Sequence, residues 1–331
     1  MRQPEFWFKQ PGVLSGILFP LEVIWRAAAR NRIGKGRRER IKIPVICVGN
    51  LNVGGTGKTP LVMELARRLT EAGESPHAVS RGFGGNTSKP TLVDPSRHSA
   101  TDVGDEPLLL SSFVPTWVGA KRPECARLAA EAGAGVIILD DGHQDPSLAH
   151  DVSVIVVDAE RGFGNCRVMP AGPLRETVDE GLHRADVLVV VGSNGQRFRK
   201  QWKFASDLPV IEANTTVLPT GKDWRDERVV AFAGIGDPLK FFSCLSDLGA
   251  NVVHEVPLTD HQVLDGRLMT RLEMVAKSRS AQLVTTEKDA VRLPKNWRSR
   301  VLTLPVRLEL SDWSEIDDRL AGLGVIVPDA G

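Results

Sequence analysis
The chain has 331 residues, with 42 Lys and Arg against 41 Asp and Glu, for a formal net charge of +1. That balance removes the global basic field on which a nucleic-acid binder relies. The length is too great for one small core and points to two domains, while apolar and charged fractions of 42% and 25% are those of a globular protein.

Four scattered cysteines, Cys47, Cys125, Cys166 and Cys244, form no CxxC pair. This argues against a zinc site or a disulfide framework and fits a reducing cytosol.

The N-terminal segment, residues 1–42, is apolar and then basic. Its apolar run from Gly12 to Leu21 is too short to cross a bilayer and is interrupted by Pro20 and Glu22. No small-residue cleavage site follows, so a secretory signal is not expected. The stretch from Arg30 to Lys42, RNRIGKGRRERIK, is strongly basic. An apolar face followed by Lys and Arg suits an interfacial anchor on anionic lipid. A helix packed on the domain, with a solvated basic turn after it, would read the same way.

VICVGNLNVGGTGKTP, Val45 to Pro60, is the stretch that the rest is organised around. Val45–Val48 reads as a buried strand, Gly49–Gly57 as a glycine-punctuated loop, and Lys58 and Thr59 open a helix. That order is the one a phosphate-binding loop needs. The backbone of Asn52, Val53, Gly54, Gly55, Thr56 and Gly57 would cradle a polyphosphate at the helix N-terminus. Lys58 would reach the β- and γ-phosphates, and the Thr59 hydroxyl would ligate Mg²⁺. One departure stands out: the usual pattern has Gly where this chain has Asn52.

A second short strand, His77–Ser80, leads into SRGFGG, where Arg81 could meet an anion and a plain turn is the simpler reading. TLVD, Thr91–Asp94, reads as an edge strand. In VGDEPLLL, Asp105 and Glu106 begin an apolar helical run, where acids often only offset the dipole. TWVGAKRPECARLAAEAG reads as strand, loop and helix, with Arg122 in the loop as a phosphate contact. VIILDDGHQD is more specific: a buried strand delivers Asp140 and Asp141 to its carboxyl end, the second half of a P-loop nucleotidase site that holds Mg²⁺. Gln144 follows as a contact residue. After the strand VSVIVVD comes the Gly- and Pro-rich GFGNCRVMPAGPLRE, with Arg175 placed to meet a phosphate. DVLVVVG is one more buried strand.

Near-continuous apolar strands alternating with helices indicate an α/β domain, residues 43–215: a P-loop nucleotidase-type parallel sheet covered by helices on both faces. Its ligand should sit beyond the strand carboxyl ends, where Lys58, Asp105, Asp140 and Arg175 would converge. From about Arg228 the pattern restarts as a second, smaller α/β domain, residues 216–331. Its polar loops are TDHQ, which carries His261 beside Asp260, and TTEKDAV. His261 could be a tunable base or simply a solvated loop residue. VRLEL, Val306–Leu310, could return to pair near IEANTTVL, bringing residues 306–331 back to the first domain.

In order and spacing, GNLNVGGTGKTP, SRGFGG, VGDEPLLL, ILDDGHQ, GFGN with PAGPLRE, FAGIGDPLKFF, TDHQ and TTEKDAVRL resemble the tetraacyldisaccharide 4′-kinases, the lipid A 4′-kinases of Gram-negative bacteria. The resemblance covers nearly the whole chain. It implies that ATP, with Mg²⁺, phosphorylates the 4′-hydroxyl of a tetraacyl disaccharide 1-phosphate to give lipid IVA. It implies peripheral work at the cytoplasmic face of the inner membrane, on an anionic surface, with no obligate protein partner. It pairs Asp105 with His261 across an interdomain cleft. Asp105 would take the hydroxyl proton, Lys58 would neutralise charge, and Thr59 with Glu106 or the Asp140–Asp141 pair would hold the metal.

Phe83 stands where the family usually has Tyr, His143 where it often has an aromatic, and Asp145 where it has His. A role for His143 or Asp145 is therefore in doubt.

Other readings fit less of the chain. A regulatory GTPase would need an NKxD segment, which is absent. A partitioning-type ATPase would want Lys early in the loop, where Val53 stands. A soluble small-molecule kinase leaves the apolar and basic N-terminus unexplained. A lipid-binding scaffold that has lost its chemistry would not need Lys58, Thr59, Asp105 and Asp140.

Overall fold
The computed structural model describes residues 3–36, 38–203 and 208–328. Residues 1–2, Arg37 of the basic stretch, 204–207 and 329–331 lie outside the described residues. Short runs of Val, Ile and Leu bounded by Gly, Pro and Asp make the strands. In chain order they are β1 (Val45–Gly49), β2 (Pro76–Ser80), β3 (Thr91–Leu92), β4 (Thr116–Val118), β5 (Val136–Asp140), β6 (Val152–Asp158), β7 (Val187–Val191), β8 (Val210–Val217), β9 (Arg228–Ala233), β10 (Asn251–Pro257), β11 (Gln282–Thr286), β12 (Leu302–Leu304) and β13 (Val306–Leu310).

The larger sheet has nine strands in the order β13-β8-β7-β6-β1-β5-β2-β4-β3. Every neighbour is parallel except the two outer pairs, β13 with β8 and β3 with β4. The smaller sheet, β10-β9-β11-β12, is parallel throughout.

The helices are α1 (Val13–Lys35), α2 (Lys58–Glu71), α3 (Ala100–Val103), α4 (Asp105–Leu110), α5 (Arg122–Glu131), α6 (Val178–Leu182), α7 (Gly195–Gln201), α8 (Pro238–Asp247), α9 (Gly266–Ser278), α10 (Glu287–Ala290) and α11 (Ser314–Ala321). Alternation along β1 shows how both faces of the large sheet are covered. Ile46 and Val48 pack into the core with Leu61, Leu65 and Leu69 of α2. Val45 and Cys47 pack on the other face with Cys125, Ala126 and Ala129 of α5. The smaller sheet repeats the plan, with Phe241, Phe242 and Leu245 of α8 on one face and Met269, Leu272 and Ala276 of α9 on the other.

The chain passes between the sheets twice. β8 leaves the large sheet toward β9, and β13 comes back antiparallel beside it, with Val306 opposite Val217 and Leu310 opposite Ala213. α11 then sets Ile316 and Leu320 in the first core, and Arg68 of α2 pairs with Asp317. The join is therefore a two-stranded ribbon rather than a loose linker.

α1 runs through Pro20 and into the basic residues as one helix. Pro20 lies inside it without ending it. Its buried residues are polar, Ser15 and Glu22. Ser15 Oγ lies 3.3 Å from Asn165 Nδ2, and Glu22 Oε1 accepts from the Val168 N–H at 3.2 Å. Leu14, Ile17, Leu21 and Ile24, which share one face by their spacing, are 53–68% exposed. The helix is thus apolar outward. It lies along the PAGPLRE segment, where Trp25 Nε1 donates to the Arg175 carbonyl at 3.3 Å and Arg30 pairs with Glu180. No helix among the described residues is long and apolar enough to cross a membrane.

Candidate active site
The phosphate loop runs from the end of β1 to the start of α2. Gly57 caps that helix with φ +94°, a conformation a side chain would strain. Asn50 Nδ2 donates to the Gly54 carbonyl at 3.2 Å and lies 3.1 Å from Thr56 Oγ1, which sets the loop's curvature. Asn52, the departure from the usual motif, is turned to the neighbouring segment: its Nδ2 donates to the Gly162 carbonyl at 2.9 Å, and the Val53 N–H donates to the Pro173 carbonyl at 2.8 Å. GFGN and PAGPLRE therefore hold one side of the loop. Lys58 is buried, with its Nζ 3.8 Å from Asp141 Oδ1.

β5 carries the acids. Val48 pairs with Asp140 across the β1–β5 ladder, so the carboxylates emerge beside the loop. Asp140 is buried. Its Oδ2 lies 3.5 Å from Ser80 Oγ, and its Oδ1 has no hydrogen-bond partner. Burial, with Glu106 and Asp141 nearby, holds its pKa well above the carboxylate range. Asp141 turns the other way at φ +55° and meets Arg175 Nη1 at 2.8 and 2.9 Å. Burial pushes its pKa up, but Lys58 and Arg175 outweigh this and hold it low.

Arg175 also donates to Gln144 Oε1 at 3.2 Å. Gln144 Nε2 in turn donates to the Asn50 carbonyl and to Glu176. Gln144 thereby fixes the start of the phosphate loop. Arg122 is buried: it pairs with Asp145 and donates to the Asp141 carbonyl at 2.9 Å through its Nη atoms, while its Nε has no partner. Both residues brace the acidic strand end from behind. Arg81 is exposed. The glycines of its loop instead permit close backbone contact, since a Cβ on Gly85 would lie 2.6 Å from Gly104 N, next to Asp105.

Asp105 opens α4 and is buried. Its Oδ2 lies 2.9 Å from His261 Nδ1, from the smaller domain. Burial raises the Asp105 pKa, yet the His261 hydrogen bond and the charges of Lys288 and Arg292 bring it below its ordinary value. The bond to Asp105 raises His261, against burial and Lys288. His261 Nε2 lies 3.7 Å from Asp260, and Phe83 meets the imidazole edge-on with centroids 5.8 Å apart.

The smaller domain adds residues that sequence reading did not assign. Lys288 Nζ lies 3.1 Å from Glu106 and 3.8 Å from Asp260. Arg292 Nε lies 3.8 Å from Asp105 Oδ2. Both stand in TTEKDAVR at helical i, i+4 spacing, the one signal that put them on a common face. At the other edge of the cleft, Arg161 meets Asp237 at 3.0 Å and Lys240 meets Asp158 at 2.9 Å. Glu176, buried and held by Arg184 at 2.8 Å, was also not assigned. Thr59, in the first turn of α2, completes the set beside Lys58. Among the described residues, no three His, Cys, Asp or Glu form a ready metal cage.

The site thus combines a phosphate loop, a strand-end acid with a free oxygen, and an ionised carboxylate held by a histidine from across a cleft. The family model for tetraacyldisaccharide-1-P 4′-kinase matches residues 14–323. A tetraacyldisaccharide 4′-kinase from Dinoroseobacter shibae is 52% identical, over 100% of this chain and 99% of its own length. One from Jannaschia sp. is 50% identical, over 96% and 97%. Among solved structures, LpxK from Aquifex aeolicus in complex with ATP aligns with a TM-score of 0.76 at 25% identity, covering 94% of this chain and 99% of that one. A match along almost the whole length of the chain, to sequence relatives and a solved fold alike, means that it belongs to the tetraacyldisaccharide-1-phosphate 4′-kinase family.

Proposed function
We propose that this protein transfers the γ-phosphate of ATP to the 4′-hydroxyl of a tetraacyl disaccharide 1-phosphate, giving lipid IVA for lipid A, and that Asp105 is the general base. The observation that carries the reading is the 2.9 Å bond between Asp105 and His261 beside the phosphate loop. A sugar hydroxyl is a weak nucleophile and gains from a carboxylate that accepts its proton as it attacks. Asp105 has the depressed pKa that keeps it ionised, and His261 orients it.

Phosphoryl transfer otherwise asks for positioning and charge neutralisation. Lys58 supplies one positive charge to the β- and γ-phosphates. Arg175, bonded to Asp141, would add a second positive charge beside the loop.

Asp140, with its unpartnered buried oxygen, suits one coordination position of Mg²⁺, and Thr59 and Glu106 suit others. Held there by Asp140, Thr59 and Glu106, Mg²⁺ would neutralise charge on the transferring phosphate. The outward apolar face of α1, continued by Arg26, Arg30 and Arg32, suits peripheral attachment to an anionic membrane surface, the cytoplasmic face of the inner membrane.

The test is transfer of radiolabelled γ-phosphate from ATP to a tetraacyl disaccharide 1-phosphate in detergent micelles, run beside Lys58→Ala. Label in the lipid with wild type and none with the variant is the expected result. ATP hydrolysis without labelled lipid would refute the assignment.

A further inference from the structure
Two loops of the smaller domain face the larger one. The first, Gly234–Asp237, follows β9 and sits on the phosphate loop: the position of a Cβ on Gly236 is 3.6 Å from Gly55 N. Asp237 meets Arg161 at 3.0 Å, and Lys240, just beyond, meets Asp158 at 2.9 Å. The second is the turn Thr259–Gln262, which carries His261 at φ +58°. It is closed by the Gln262 N–H on the Thr259 carbonyl at 3.0 Å, and by the Thr259 N–H on Gln262 Oε1 at 3.0 Å.

One buried ion pair joins these loops. Asp289, with no exposed surface, accepts from the Gly234 N–H at 3.1 and 3.0 Å and from Thr286 Oγ1 at 2.6 Å. It pairs with Arg292, which lies on the next turn. Arg292 donates to the Gly234 carbonyl at 3.1 Å through one Nη and to the Gln262 carbonyl at 3.1 Å through the other. Its Nε, unpartnered, is aimed toward Asp105 at 3.8 Å. The fixed fork of a guanidinium can hold three acceptors in one plane, and an ammonium cannot.

We propose that the Asp289–Arg292 pair is a positioning unit: it ties the loop seated on the phosphate loop to the His261 turn, so that seating of the nucleotide sets His261 against Asp105. Left-handed backbone at a non-glycine residue persists only when its surroundings hold it, and Arg292 on the Gln262 carbonyl is such a hold. A nucleotide on the phosphate loop would fix the first loop through the Gly236–Gly55 contact, and the pair would carry that to the second. The inference rests on the kinase reading above.

The test is kcat and the lipid KM of the full chain in detergent micelles at saturating ATP. Two variants are compared in the wild-type and His261→Ala backgrounds. Arg292→Lys keeps the charge and loses the fork. The double variant Asp237→Asn with Lys240→Gln breaks only partly exposed pairs at the outer end, with Arg161, Asp158 and Glu160, and so tests the unit even if Arg292→Lys does not fold.

The expected result is that each lowers kcat about tenfold or more with the lipid KM within about twofold, and that in the His261→Ala background the loss shrinks to under about threefold. Equal losses in both backgrounds, or a raised KM at unchanged kcat, would overturn the positioning unit and leave the kinase reading intact. Wild type that labels no lipid would overturn both.

Discussion

His261 Nδ1 stands 2.9 Å from Asp105 Oδ2, although the two residues are 156 positions apart and belong to different sheets' domains. The contact therefore depends on how the two sheets' layers are arranged, and not on local sequence alone.

The pair has a pH signature. The Asp105 bond raises the His261 pKa above its ordinary 6.5, while burial and Lys288 oppose it. His261 should therefore titrate above 6.5 by NMR in the wild type, and its midpoint should fall in Asp105→Asn, where Asp260 alone is left to raise it against burial and Lys288. For stability, the His261 contribution is full below its unfolded pKa and is lost as pH rises through the raised folded value. The Asp105 contribution is full above its unfolded value and is lost as pH falls through the lowered one. An unchanged His261 midpoint in Asp105→Asn would show that the bond does not form in solution.

Asp140 is the acid whose environment least suits an isolated charge, with burial and two like charges raising it and one oxygen left without a partner. A divalent cation would resolve all three. Asp140→Asn should raise the Mg²⁺ concentration for half-maximal turnover by at least about 10–100-fold, the range for losing even an outer-shell partner of a metal ligand. An unchanged Mg²⁺ dependence would remove Asp140 from the metal site.

The buried pair in the smaller domain should matter to folding as well. Asp289→Ala would leave Arg292 buried without its partner. Breaking such a pair costs about 3–5 kcal/mol. The urea midpoint should move down accordingly, whereas Asp237→Asn, in a half-buried pair, should leave it within about 1 kcal/mol.

α1 presents its apolar stripe to solvent and its polar residues to the protein. Replacing Leu14, Ile17, Leu21 and Ile24 together by Ser should weaken partition into anionic vesicles by about tenfold or more, since each buried methylene contributes about 0.8 kcal/mol. Turnover on a detergent-dispersed substrate should change little. Equal partition of the two proteins would assign the stripe to some other partner.

Much of this was legible locally. GGTGKT between a strand and a helix, Asp140–Asp141 at a strand end and alternating apolar strands are patterns within a few residues of one another, and the structure builds the expected α/β sheet from them. What was not legible depends on long-range contact. TTEKDAVR was noticed as a polar segment, but nothing nearby in the chain shows that Lys288 reaches Glu106, 182 positions away. Arg122 and Gln144 read as substrate or phosphate contacts; in the structure Arg122 meets Asp145 and the Asp141 carbonyl, and Gln144 meets the Asn50 carbonyl and Glu176, partners that periodicity cannot reveal.

The most direct test of the central claim is single-turnover transfer of γ-phosphate to the lipid by Asp105→Asn, with ATP binding measured in parallel. The base assignment expects the rate to fall by about two to four orders of magnitude, the usual contribution of general base catalysis, with ATP affinity nearly unchanged. Transfer at the wild-type rate would contradict it and return the search for the base to the other acids of the cleft.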